Sequence, residues 1–269
     1  MTAFAQHLRL DFMAGIRNST SMLMFYLFPL GFYALMSVVM TEINPLFADS
    51  AVPALVVVTL LAGSILGLPG QLVETRQMGI YRMFKVNGVP AWSILASPVV
   101  SAVGHGVVAA TIIVLTAGPV FGLPTPTDWL AFYGTMLVAA ACFGSLAALI
   151  GVVSDSSRAT VLWSQLVFLP SMLIGGLMVD LSLLPESIIP FAKMLPPTHA
   201  GQAMLGLGFG ADTVTSPGWS AVLLGVSTVT NAVLAVMLFD WDPANRTRRY
   251  TRLLAIAALV PFAIGAALL

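Results

Sequence analysis

The chain has 269 residues, 58% of them hydrophobic and only 8% charged, with 11 basic and 11 acidic side chains and a mean hydropathy of +0.97. Soluble domains carry roughly 25% charged residues, so this composition excludes a water-facing shell and makes lipid the natural solvent. Zero net charge leaves no electrostatic case for binding nucleic acid, and a single cysteine, Cys142, excludes an internal disulfide.

In chain order, residues 1–18 place Phe4, Leu8, Phe12 and Ile16 four apart, with His7, Arg9, Asp11 and Arg17 between them. That spacing predicts a helix lying in the membrane interface. The apolar run from Ser21 to Met40 exceeds the h-region of about 7–15 residues of a signal peptide, so it reads as an uncleaved first span. A hydrocarbon core of about 30 Å takes roughly 20 helical residues. The charge-free gaps accordingly place spans near 22–40, 52–70, 95–118, 130–152, 160–178 and 219–239. Nothing resembles the short alternating segments of a membrane β-barrel. The expected fold is all-α, a polytopic membrane protein with six transmembrane helices and an N-terminal interfacial helix.

Two segments stand apart. Between Asp180 and Pro217, the prolines at 185, 190, 196 and 197 break up the apolar pieces. This predicts short outer re-entrant helices before the last span, shielded by protein where their backbone is irregular. Residues 253–269 are apolar throughout, yet at 1.5 Å per residue they reach only about 25 Å. They read as either an additional seventh span or a half-buried tail.

Six alternating spans put ten of the basic residues on one side: Arg9, Arg17, Arg76, Arg82, Lys85, Arg158, Arg246, Arg248, Arg249 and Arg252. By the positive-inside rule that side is cytoplasmic, which places the N-terminus there. The opposite side holds Glu42, Asp49, Asp128, Asp180, Glu186 and Asp212, with Lys193 its one base. Trp92, Trp129, Trp219 and Trp241 fall near span ends, where amphipathic rings favour the headgroup layer.

The largest loop on the basic side, Gln71 to Trp92, mixes both charge signs with Met78, Tyr81, Met83 and Phe84. Exposed anchors of this type suit a docking helix, and composition alone leaves contact with lipid headgroups equally open. No G-x-x-x-x-G-K-[ST] occurs, so nucleotide hydrolysis would belong to another polypeptide. No H-E-x-x-H or G-x-S-x-G occurs and no carboxylate pair lies within a span, so no catalytic or metal site is expected. Mid-membrane Asp or Glu, usual in ion-coupled carriers, is also missing.

His105, Gln165 and Asn231 sit at membrane depth in the third, fifth and sixth spans. Interhelical hydrogen bonding, worth roughly 0.6–2 kcal/mol each, is favoured for them over substrate or gating contact. Gly63 and Gly67 form a GxxxG pair in the second span, and Ala140, Gly144 and Ala148 repeat every four in the fourth, marking close helix packing without naming the partner helix. Pro29 and Pro170 should kink the first and fifth spans.

The run from Glu74 through Arg76 and Gly79 to a proline that opens the next helix resembles the first cytoplasmic loop of ABC-2-type transporter permeases. The fifth span and its sequel, with Pro170, Gly175, Gly176, Pro185, Pro190, Pro196 and Pro197, resemble that family's outer re-entrant region. The resemblance covers most of residues 1–241. It implies an ABC-2-type transmembrane domain over residues 1–252, with 253–269 as a C-terminal hydrophobic addition. It also implies a coupling helix received by an ATPase subunit, with Glu74, Arg76, Gly79, Tyr81, Arg82 and Phe84 as the residues that couple the chain to it and transmit load. Gln77 and Ile80 depart from the family pattern, in which an acidic residue and a threonine are commoner, and this bears on docking.

The partners so implied are an ABC ATPase subunit, a second permease copy or homologous permease, and the plasma-membrane bilayer. No cofactor is expected on this chain; ATP and Mg would sit on the ATPase. In the family the first, second and fifth helices line the route, which makes Phe25, Phe28, Phe32, Phe168 and Met172 candidate walls for an apolar or amphipathic substrate in an exporter. A stand-alone channel or secondary carrier is the main alternative, and a non-transporting assembly subunit a third.

Overall fold

The computed structural model describes residues 3–43, 47–242 and 253–268. The basic residues at 246, 248, 249 and 252 lie outside the described residues. Every backbone N–H in lipid needs a carbonyl from its own segment, and the chain answers with helices; no strand occurs among the described residues. Helix α1 (Ala3–Arg17) ends at Asn18, whose Oδ1 accepts from Ser21 N at 3.0 Å and starts α2 (Ser19–Met40, helical on to Ile43). There follow α3 (Phe47–Gln77), a short α4 (Ile80–Val86), α5 (Ala91–Phe121), α6 (Trp129–Val153) and α7 (Ser157–Ile174). Beyond these lie α8 (Ile189–Ala192), α9 (Pro196–Ala203) and α10 (Pro217–Leu238), then a 3-10 turn over Leu253–Leu259 running into α11 (Val260–Leu268).

Helices α2, α3, α5, α6 and α10 are each long and apolar enough to cross a membrane. The fifth expected span, 160–178, is α7, an 18-residue helix that stops at Ile174 before Gly175 and Gly176. At about 27 Å it is the shortest of the expected crossings. The second span extends well past its expected end at 70. Nothing breaks α3 until Gly79, so the first part of the expected loop, as far as Gln77, belongs to α3, which runs for about 46 Å, beyond a hydrocarbon core of about 30 Å.

Two prolines within α2 and α3 are absorbed by widened turns. Pro29 follows a π-helical turn over Leu23–Leu27, and Pro69 follows another over Ala62–Gly67. Proline lacks the N–H and its ring crowds the carbonyl four residues back. One extra residue in the preceding turn relieves that clash locally.

α6 is the buried centre, packed by α3, α5 and α10. Its small-residue ridge has an identified partner: Gly144 meets Val99 and Val103 of α5. Gly63, in the GxxxG pair of α3, meets the ring of Phe25 in α2. The short helices α8 and α9 pack against the bundle at the end where α6 and α10 begin. There the N–H groups of Thr127 and Asp128 donate to Gly208 O at 2.9 and 3.0 Å. His199, fully buried on α9, donates from Nε2 to Lys193 O at 2.8 Å and accepts at Nδ1 from Ser220 at 3.1 Å. The C-terminal apolar segment runs beside α10, and its Phe262 stacks on His199 at 5.4 Å.

α1 does not lie free of the bundle; one face packs along α5. Phe4 meets Trp92, Ser97 Oγ donates to Asp11, and Phe12 stacks on His105 at 4.0 Å. Gly15 makes this approach feasible, because a Cβ there would lie 2.5 Å from His105 Nε2. Gly15→Ala should therefore cost about 1–3 kcal/mol of overpacking in a detergent unfolding titration. Gly31→Ala, whose Cβ would meet nothing within 4 Å, should be neutral in the same measurement.

Candidate functional site

The residues singled out on the basic side converge on one end of the bundle, around the α3–α4 elbow. α3 ends at Gln77, and Gly79, at φ +76°, takes the left-handed conformation that lets the chain reverse into α4. A side chain there would be strained whatever space surrounded it.

Arg76 is the buried root of this elbow, only 2% exposed. Its guanidinium donates to the carbonyls of Gly151 (3.4 Å), Val152 (3.1 Å) and Ser154, at the C-terminal end of α6. Those carbonyls belong to a helix end that lacks intrahelical donors, and a cation there also complements the helix dipole. The planar fork of arginine reaches several acceptors at once, which a lysine could not. Arg76 therefore presents no surface for a docking partner. It ties α3 to α6.

Tyr81 is likewise buried, 4% exposed, and packs on Phe239 at 5.2 Å. Burial pushes its phenol well above the usual range, with nearby Arg76 opposing the shift. Arg82 pairs with Asp242 at 3.0 Å, Lys85 lies 6.0 Å over Trp241, and Phe84 meets His7 at 5.2 Å. The segment after α10 thus forms a shelf under α4. The sequence reading missed this shelf: Phe239, Trp241 and Asp242 showed a span end, but no spacing rule connects them to residues some 160 positions earlier.

What α4 leaves to solvent is apolar as well as charged. Met83 is 67% and Val86 87% exposed, with Met78 and Ile80 beside them. Glu74, Gln77, Arg82 and Lys85 surround that patch and are exposed too. The arrangement is a small helix fixed on one side and, among the described residues, unpartnered on the other.

The proposed substrate walls do not come together. Phe25 is buried between Gly63 and His105, at a ring distance of 5.1 Å from the latter, and fills a helix junction. Phe28 and Phe32 stack on each other at 6.2 Å on the outer side of α2. Phe168 and Met172 lie on the inward face of α7. These five residues thus occupy three separate faces, the inner and outer sides of α2 and the inner side of α7. They form such a wall only if something outside this chain completes it.

Of the intramembrane polar residues, His105 behaves as expected. Fully buried, it accepts from Tyr26 OH at Nδ1 (2.8 Å) and donates from Nε2 to the Phe12 carbonyl (3.2 Å). Because a carbonyl only accepts, the proton sits on Nε2 and the ring is fully satisfied. Asn231 differs from the expectation of an interhelical bond. Its Nδ2 donates to Ser227 Oγ, 3.3 Å away on the same helix, and its buried Oδ1 has no partner among the described residues. Gln165 is half-buried, and its side chain makes no hydrogen bond to another described residue.

A bundle with five helices long and apolar enough to cross a membrane defines a multi-pass membrane protein. Residues 3–209 match the family described as ABC-2 type transporter, which is more than half of the chain. The chain belongs to that family: it is a permease domain of an ABC transporter, a transport domain rather than a catalytic one, whose family implies an ABC ATPase partner. Comparison with curated proteins gives no match.

The Arg76 tie has a measurable consequence. Arg76→Met should leave the α6 carbonyls unsatisfied at about 1–3 kcal/mol and open the 154–156 turn to limited proteolysis. Arg76→Lys should restore little of the protection, and a lysine variant as resistant as the parent would show that the fork is dispensable.

Proposed function

We propose that this chain is the permease subunit of an exporter powered by ATP hydrolysis on a separate subunit. One observation carries the proposal. α4 exposes Met83, Val86 and Met78 to solvent while its opposite side is rooted in the bundle through Tyr81 and the neighbouring Arg76. An unpartnered apolar patch rimmed by charge suits protein docking, and a rooted one suits the transmission of load.

In this reading two permeases, identical or homologous, sit in the plasma membrane with their N-termini cytoplasmic, as the distribution of basic residues favours. ATP and Mg bind the ATPase subunits, which engage the face made by Glu74, Met78, Arg82 and Met83. Their closure pushes α4, and the push passes through Gly79 and Arg76 to α3 and α6. The cargo is lipophilic or amphipathic, in keeping with the apolar faces of α2 and α7. Phe28 and Phe32 would face it from one permease, the second permease completing the wall.

Replacing Met78 and Met83 with Asp tests the reading, since both side chains point away from the bundle and the fold should survive. Co-purification of the ATPase should weaken by about thirtyfold, the roughly 2 kcal/mol of an apolar anchor. ATP-dependent flux in reconstituted vesicles should fall with it. Undiminished flux and co-purification would remove the docking role, and flux without any ATPase would favour a channel or carrier.

A further inference from the structure

Outside α2, where α1 turns into it, lies an open groove of about 700 Å³, within the roughly 300–1,000 Å³ of ligand sites. Its wall is a stripe of Met22, Leu23, Leu27 and Leu30, ending at Gly31, and Arg17 stands at its mouth. From Ser19 to Gly31 the groove follows the helix for about 18 Å, close to one leaflet of a hydrocarbon core about 30 Å thick. Arg17 forms no ion pair with another described residue, and no carboxylate lines the groove.

We infer that this groove holds one anionic phospholipid of the leaflet on Arg17's side, its phosphate on Arg17 and an acyl chain along the Met22–Leu30 stripe. A second copy of the chain fits the same surface poorly. A twofold contact buries like against like, and with no acid in the lining it would leave Arg17 desolvated and unpaired, a costly outcome. A lipid brings its own anion at the depth of the helix end, where a cation beside an anionic leaflet is stabilising. The bound lipid would be a resident of the joint, touching neither α4 nor the shelf beneath it. The inference needs the spanning arrangement but not the ATPase partner, so it stands or falls separately from the proposed export.

Purified protein, delipidated and returned to equal amounts of phosphatidylglycerol and phosphatidylcholine, is read by native mass spectrometry. The parent should retain phosphatidylglycerol in preference. Arg17→Gln should reduce that preference about fivefold, the contribution of roughly one cation at an anionic surface. Gly31→Leu, placed where a Cβ meets nothing within 4 Å, should fill the groove and reduce retention of both lipids with the fold intact. No preference in the parent, or an unchanged preference in Arg17→Gln, would overturn the site. So would efficient disulfide cross-linking of Leu27→Cys between copies in membranes, which would show protein covering the groove. The lone native thiol, Cys142, is buried and leaves that readout clean.

Discussion

In an apolar solvent no water satisfies a stray polar group, so a buried donor or acceptor left unpaired within the chain is costly. This constraint explains the helices and also their irregularities. Two prolines that would each break a ladder are preceded by turns widened to π geometry. A histidine at membrane depth is saturated by a tyrosine hydroxyl and a backbone carbonyl. The last carbonyls of the central helix, which have no helical donors, are met by a buried guanidinium. The histidine and the guanidinium each join separate helices, so at these two places satisfaction of hydrogen bonds and assembly of the bundle are the same event.

That economy gives the elbow between α3 and α4 its mechanical character. The short helix is not a loose loop between spans. It is held from below by the shelf of Phe239, Trp241 and Asp242, from the side by His7 on α1, and from behind by α3, which Arg76 ties to α6. A displacement of α4 therefore reaches four separate helices. Surface ion pairs such as Arg82–Asp242 are worth little in themselves, but aromatic contacts and a buried fork resist separation. The free side of α4 is where a partner can push, and the fixed side is where the push is delivered.

Much of this was legible beforehand. Charge-free gaps located the apolar helices to within a few residues for α2, α6 and α10, because lipid forbids charge at depth whatever the tertiary arrangement. Two boundaries were wrong for identifiable reasons. α3 continues to Gln77 because Glu74 and Arg76, read as the start of a loop, are good helix formers. α7 ends early because two adjacent glycines stop it. The polar residues were less legible: His105 and Asn231 look alike in a sequence, yet one bridges three elements and the other bonds within its own helix.

The amino-acid sequence by itself determined the solvent and the helical class, since these depend on local composition against a slab of fixed thickness. Only the tertiary structure decided that Arg76 is a buried tie rather than a docking contact, and that the residues after α10 support α4. Such facts concern pairs of residues tens to hundreds of positions apart, brought together by packing. No periodicity or charge count within a single segment encodes which distant helix end a side chain will reach.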